Sequence, residues 1–277
     1  MKGLGLDELS VARIKSGLRT SLIGRHVVYC PSVGSTNDVA KELAEEGAPE
    51  GTLVIADEQT AGRGRLGRRW LAPKGSSLLM SLLFRPPLTP HQAGRLTMIC
   101  SLAIADAIEE VTGLRTGLKW PNDILLGGRK AGGILTELGT TGERLDYAIV
   151  GVGLNVNLDV AQFPEIAPTA TSLSRELGQE VPRLELLWAI LAEIEERYLR
   201  LRAEQPPHAG GYLPHEEWAA RLVTLHQQVR VTTPQGVLEG WAEGVDADGA
   251  LILLLPDGRR RRLLAGDVTL RTGPQFS

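Results

Sequence analysis

A chain of 277 residues, 43% of them apolar, is long enough for one large domain or for a domain with a small module attached. Its formal net charge of −3 and its 4% aromatic content argue against a general nucleic-acid binder. No apolar run approaches the ~20 residues of a membrane helix and no signal-peptide pattern opens the chain, so a soluble, cytoplasmic protein without a membrane partner is expected.

From the N-terminus, residues 1–25 carry a short helical pattern with Leu9, Ala12, Ile14 and Leu18 on one side. A strand is predicted at 26–30. Val33-Gly-Ser-Thr-Asn37 follows, then a helix over Asp38–Glu46, with Thr36 or Asn37 as its cap and Gly47 as its stop. The side chains of Ser35, Thr36 and Asn37 suit a polar ligand, although a plain helix cap is the simpler explanation of that feature alone. Thr52–Asp57 reads as a strand. The two cysteines, Cys30 and Cys100, lie in apolar runs without metal-ligand spacing and read as buried free thiols.

Residues 62–70, GRGRLGRRW, are the densest signal. Glycines let backbone approach a ligand closely. Arginines offer forked donors to phosphate or carboxylate, and tryptophan offers a flat face to a ring. The segment describes a loop that folds over an anionic, partly aromatic small molecule. Gly62, Gly64 and Gly67 form a formal G-x-G-x-x-G. A dinucleotide fold needs an apolar helix directly after it, and Arg68-Arg-Trp-Leu-Ala-Pro-Lys-Gly75 reads as loop instead. Kinase HRD and DFG elements and a phosphate-binding G-x-x-x-x-G-K-[ST] are absent.

Ser77–Phe84 is a buried strand, and Thr89-Pro90 opens a long helix that Gly113 ends. Strands are predicted at Thr116–Trp120, Ile124–Leu126, Gly133–Leu138 and Asp146–Asn155, the last two joined by a turn at Gly139–Gly142. In Lys119-Trp-Pro-Asn-Asp123, Pro121 fixes the backbone after a strand, which puts Lys119 and Asn122 at the strand end. Arg129-Lys130-Ala-Gly-Gly133 adds two cations. Gly151-Val-Gly-Leu-Asn155-Val-Asn157 puts glycines inside a strand, where they mark a bulge or a closely approaching ligand. Pro182–Glu204 is an amphipathic helix whose Trp188 and Tyr198 read as core. A Pro/Gly-rich break at 205–214 and a short helix at 215–222 follow. From Gln228 short strands and turns describe a small β-barrel. Arg259–Arg262 reads as a solvated strand edge. The division expected is 1–225, with 1–25 as a helical extension, and 226–277.

These motifs, with Glu58-Gln59, resemble those of a biotin protein ligase in identity, order and spacing, from about residue 25 to 272. The resemblance implies an α+β fold: a mixed-sheet catalytic domain followed by an SH3-like β-barrel. It implies that biotin and ATP with Mg²⁺ give biotinyl-5′-adenylate and pyrophosphate. The adenylate then acylates one lysine of a biotin carboxyl carrier protein. Ser35, Thr36, Asn37, Gln59, Arg63, Gly64, Arg65 and Lys119 would hold biotin, with Lys119 between its carboxylate and the α-phosphate. Lys119 and Arg65 would be the catalytic residues. Arg65 and Arg68 would meet phosphates, Trp70 and Asn155 the adenine side, and Arg271 would reach the nucleotide from the barrel. Leu66 stands where some relatives carry arginine and is given no phosphate role. Some family members carry an N-terminal DNA-binding domain and act as repressors. The stretch before Ser35 is too short for one, so no repressor role and no nucleic-acid partner are expected. The resemblance leaves a homodimer open. Competing readings are a lipoate or octanoate ligase of the same architecture, and a nucleic-acid module built on the loop and Arg259–Arg262.

Overall fold

Strand alternation explains the architecture of the catalytic part. In the computed structural model, which describes residues 8–203 and 212–270, β3 (Ser77–Phe84) is buried along its whole length. Leu78, Met80, Leu82 and Phe84 join the main apolar core on one face, while Leu83 joins a smaller cluster on the other. Side chains alternate across a strand, so each neighbour of β3 is divided the same way. The other strands of this sheet are β1 (Val27–Cys30), β2 (Leu53–Ala56), β4 (Thr116–Lys119), β5 (Asp123–Leu126), β6 (Arg129–Thr141) and β7 (Arg144–Asn155), of which β2 and β7 flank β3. The seven strands run in the order β1-β2-β3-β7-β6-β5-β4, with β1 and β2 parallel and the remaining pairs antiparallel.

One face is covered by α3 (Gly94–Thr112) and α5 (Arg183–Ala203), which pack on each other and on the strands. Tyr198 of α5 meets Phe84 edge-on with ring centroids 4.7 Å apart. The expected Thr89-Pro90 start is a 3-10 turn, Pro90–Gln92, held by a capping box, and α3 proper begins at Gly94. The opposite face takes α2 (Thr36–Glu45), whose Ala40 and Ala44 lie on Val54, Leu83, Tyr147 and Ile149. Ser35, not Thr36 or Asn37, is the N-cap residue. The predicted caps are drawn into the first turn because the Thr36 N–H donates to the Gln59 side chain at 2.8 Å. Gly47 follows the helix at φ +86, as a stop in the left-handed region requires.

At the N-terminus α1 is only Val11–Ser16. Leu9 and Ile14 are buried, Leu18 packs beside them, and Ala12 faces solvent. Trp188 holds this segment, donating to the Ile14 carbonyl at 2.8 Å and lying where any side chain at Gly17 would be. The hairpin turn is displaced from Gly139 to Gly142-Glu143, with Thr141 and Arg144 as the closing pair. Gly139 is in the strand because the Tyr147 ring lies across it. Cys100 is buried, whereas Cys30 on edge strand β1 is half-exposed.

After α4 (Leu173–Leu177) and α6 (Pro214–Arg221), the strands β8 (Gln228–Thr233), β9 (Gly236–Val245), β10 (Leu251–Leu254), β11 (Arg260–Leu263) and β12 (Asp267–Leu270) form a five-stranded antiparallel sheet of SH3-like type, ordered β11-β10-β9-β8-β12. It sits against the catalytic sheet through the Asp246–Gly249 turn. The Trp120 indole donates to the Gly249 carbonyl at 2.9 Å, Arg95 pairs with Asp248 at 3.0 Å, and Gly94 leaves room for the Asp248 carbonyl. Arg260 and Arg262 on edge strand β11 are paired with Glu243 and Asp246, and Arg259 with Asp257, so the basic run is largely neutralised within the module. No helix among the described residues is long and apolar enough to cross a membrane.

Candidate active site

The face of the sheet beyond α2 has lost its side chains. Gly151 and Gly153 of β7 and Gly133 of β6 point toward it. A Cβ at Gly151 would strike the Asn37 carboxamide, and one at Gly153 would lie 2.5 Å from the Trp70 indole. The bare strip lets Trp70 lie flat against the sheet. It opens into a cavity of about 420 Å³ bounded by the α2 N-terminus, the 62–70 loop, the β4–β5 turn and the start of β12.

At one end the cavity wall is polar and uncharged. Ser35, Thr36 and Asn37 are all buried. The Gln59 side-chain carbonyl accepts from the Thr36 N–H at 2.8 Å and the Thr36 hydroxyl at 3.1 Å. Ser81 of β3 stands beneath, 2.8 Å from Thr36 Oγ1 and 2.6 Å from Asn37 Oδ1. Asn37 Nδ2 donates to Glu137 at 2.5 Å. These bonds hold the Thr36, Asn37 and Gln59 side chains in place.

The middle of the cavity is cationic. The Lys119 side chain lines it and makes no hydrogen bond or ion pair with another described residue. Lys130 lies 5.7 Å from the centroid of the Trp70 ring and donates to Asp123 at 2.5 Å. Asn122 is pinned by its side chain to the Ile134 carbonyl at 2.5 Å, and it accepts from Arg65 at 3.2 Å. Burial pulls the Arg65 guanidinium below its ordinary value and Arg68 adds to this, while Asp267 and Asp123 oppose it. Arginine nevertheless stays charged at any working pH.

At the far end two buried polar atoms have no partner, Trp70 Nε1 and Asn155 Oδ1. The Asn155 amide is oriented by donation to the Thr171 carbonyl at 3.0 Å. An unpaired buried donor and acceptor in one cavity are costly unless a ligand or water completes them.

The 62–70 loop is a small hairpin. Gly64 N–H donates to the Arg68 carbonyl at 2.7 Å, and Trp70 N–H to the Gly62 carbonyl at 2.9 Å. Its arginines point three ways. Arg63 forks onto Asp38 of α2, with the longer bond at 2.8 Å. Arg65 turns inward, reaching Asn122 and the Gly266 carbonyl at 3.3 Å. Arg68 pairs with Asp267 at the start of β12.

Every sequence-predicted site residue that is described lies on this cavity: Ser35, Thr36, Asn37 and Gln59 on its polar wall, Arg63, Gly64, Arg65 and Arg68 in the loop, and Lys119, Trp70 and Asn155 across the sheet. Arg271 lies outside the described residues. Four participants were not singled out from sequence. Lys130 and Asp123 belong to motifs that stood out, but nothing in spacing says that they pair across β5 and β6. Ser81 sits in an apolar strand and is revealed only by alternation. Asp267 arrives from the other module. Among the described residues, no group of three or more His, Cys, Asp or Glu side chains is placed to hold a metal ion.

Comparison with known proteins shows the family. Residues 29–155 match the biotin/lipoate A/B protein ligase family, and residues 224–271 match the biotin protein ligase C terminal domain. The chain is 36% identical to the biotin–[acetyl-CoA-carboxylase] ligase of Mycobacterium tuberculosis, covering 95% of this chain and 97% of that protein. The chain belongs to the biotin protein ligase family. Its activity is that of the family, the ligation of biotin to protein. It is also 38% identical to the bifunctional ligase/repressor BirA of Bacillus subtilis, over 95% of this chain and 79% of that one. Among solved structures, the biotin protein ligase of Aquifex aeolicus in complex with biotin and ATP superposes with a TM-score of 0.72 at 30% identity, over 89% of this chain and 99% of that chain.

Proposed function

We propose that this cavity condenses biotin with MgATP and then passes the biotinyl group to a lysine of a biotin carboxyl carrier protein. In the first step a carboxylate oxygen of biotin bonds to the α-phosphorus, and the bond from that phosphorus to the bridging oxygen of the departing pyrophosphate breaks. In the second, the carrier lysine loses a proton, its amine bonds to the acyl carbon, and AMP leaves. A cytoplasmic setting is part of the proposal.

The observation that carries this reading is the cavity's two-ended character. The buried Ser35, Thr36, Asn37 and Gln59 offer uncharged donors and acceptors, which suits the neutral ureido ring of biotin. The unpaired Trp70 Nε1 and Asn155 Oδ1 at the other end would be completed by a nucleotide. Between them two anions must approach each other, and Lys119 with Lys130 supplies fixed positive charge at that place. Such preorganised charge favours the more highly charged transition state. Arg65 and Arg68 would exchange their present partners for phosphate oxygens, and Arg271 would reach the nucleotide from the barrel. Mg²⁺ would arrive with ATP, with Asp123 as the nearby carboxylate. The closed loop would keep water from the acyl-adenylate.

Pyrophosphate exchange into ATP, measured with biotin, with octanoate and with neither, tests the assignment. Exchange should require biotin and need no carrier protein. Equal exchange with octanoate, or without any acid, would overturn it.

A further inference from the structure

We propose that Asp38, on the first turn of α2, is a positioning residue that holds the arginine/glycine loop closed over the cavity through Arg63. The proposal rests on the biotin-ligase reading of the site, and it assigns the closed loop to a residue that meets no substrate. Asp38 and Arg63 form a two-point fork, Arg63 Nη1 to Asp38 Oδ2 at 2.8 Å and Arg63 Nη2 to Asp38 Oδ1. Paired nitrogen–oxygen bonds of this kind fix orientation as well as distance. The fork to Arg63 lowers Asp38 below its ordinary value, and it raises Arg63.

Three features make Asp38 an anchor for the loop. A carboxylate in the first turn is favoured by the helix N-terminus, so Asp38 is charged and in place before the loop closes. Asp38 directly follows Ser35, Thr36 and Asn37, so whatever it holds is registered against the polar wall of the cavity. Finally, the loop has no core of its own. Leu66 is 64% exposed and adopts φ +57, and Gly67 adopts φ +72. A non-glycine residue in that region is disfavoured. Closure must therefore come from side chains that reach out of the loop: Arg63 is tied to α2, Arg65 to Asn122 and the Gly266 carbonyl, and Arg68 to Asp267 of the barrel.

The fork is partly exposed, so its contribution is modest. An ion pair of this kind changes an opening equilibrium by about two- to fivefold. Trypsin, which cuts after arginine, reports opening of the loop without any substrate. The ligand-free protein, Asp38→Asn and Asp38→Glu are digested briefly, and cleavage after Arg65 and Arg68 is followed by mass spectrometry. Asp38→Asn should be cut about two- to fivefold faster at those sites, with Asp38→Glu close to the parent protein. In turnover, Asp38→Asn should raise the KM for biotin by a similar factor and leave kcat nearly unchanged. Unchanged loop cleavage in Asp38→Asn would overturn the proposal. So would acceleration spread over the whole chain, or failure of Asp38→Glu to restore protection. The digestion judges Asp38 even if the protein shows no biotin-dependent exchange.

Discussion

The two faces of the seven-stranded sheet are made by the same strands and do opposite work. Toward α3 and α5 the sheet presents large apolar side chains, with Leu78, Met80, Leu82, Phe84, Val150 and Leu154 in one cluster. On the other face, Leu83 and Ile149 pack under α2, and the positions toward the cavity include Ser81, Gly151, Gly153 and Asn155. The filled face stabilises the fold by burial and tolerates no cavity. The stripped face contributes little burial and instead makes room for Trp70, Asn37 and a ligand. One face keeps the sheet folded, and the other leaves the space that the proposed site would use.

Substitutions on the two faces should therefore fail differently. The largest effect is expected from Phe84→Ala on the filled face. It removes a fully buried ring that packs against Tyr198 and should cost about 3–5 kcal/mol of stability. Denaturant unfolding measures that loss, while the KM for ATP of the folded fraction should stay near normal. A marked change in that KM would mean that the faces are not independent.

Lys130→Ala, with Lys119→Ala beside it, is the converse. Each should lower biotin-dependent pyrophosphate exchange by about 10²–10³-fold with the unfolding midpoint preserved. Exchange near the parent rate in a folded variant would remove that lysine from the reaction. Comparing the two variants shows which lysine sits at the reacting atoms.

Arg65→Gly should still form the adenylate but hold it poorly. Losing a charge-assisted bond costs about 1.5–3 kcal/mol, so retention should fall roughly ten- to a hundredfold. Escaped adenylate would label lysines of an unrelated protein in the same tube. An active variant with no more bystander labelling than the parent would show that Arg65 does not retain the intermediate.

Gly153→Ala should be the mildest. Its new Cβ would lie 2.5 Å from the Trp70 indole, so the ring must shift. Loss of well-placed aromatic contact is worth about 0.5–1.5 kcal/mol, which predicts a two- to tenfold rise in the KM for ATP and little change in stability. An unchanged KM would indicate that Trp70 does not face the nucleotide.

Much of the site was legible because its motifs are local. Ser35-Thr36-Asn37, the 62–70 loop, Lys119-Trp-Pro-Asn-Asp123 and the Gly151–Asn157 run each show their chemistry within a few residues. The elements were legible where periodicity is strong, as in α3, α5 and β3. Short or capped segments misled. The residues expected to cap α2 lie inside it because Gln59, a distant residue, takes the Thr36 N–H. Ala12 was placed on the wrong side of α1 because a six-residue helix has too few turns to reveal its phase.

The sequence by itself determined the two-part α+β plan, the arginine/glycine loop and the chemical types gathered at the site. Those follow from side-chain periodicity, glycine conformation and the charge of single residues, all of which act over short stretches of chain. Only the tertiary structure decided which cation faces which anion. Lys130 meets Asp123 across β5 and β6, where the pairing shifts between Ile124 and Leu125. Ser81 reaches Asn37 because β3 turns its odd residues toward α2. Arg63 and Arg68, a few residues apart, are tied to Asp38 and Asp267 in different parts of the molecule. The partners of a charge are set by the closure of the whole chain, and a local pattern carries no record of that closure.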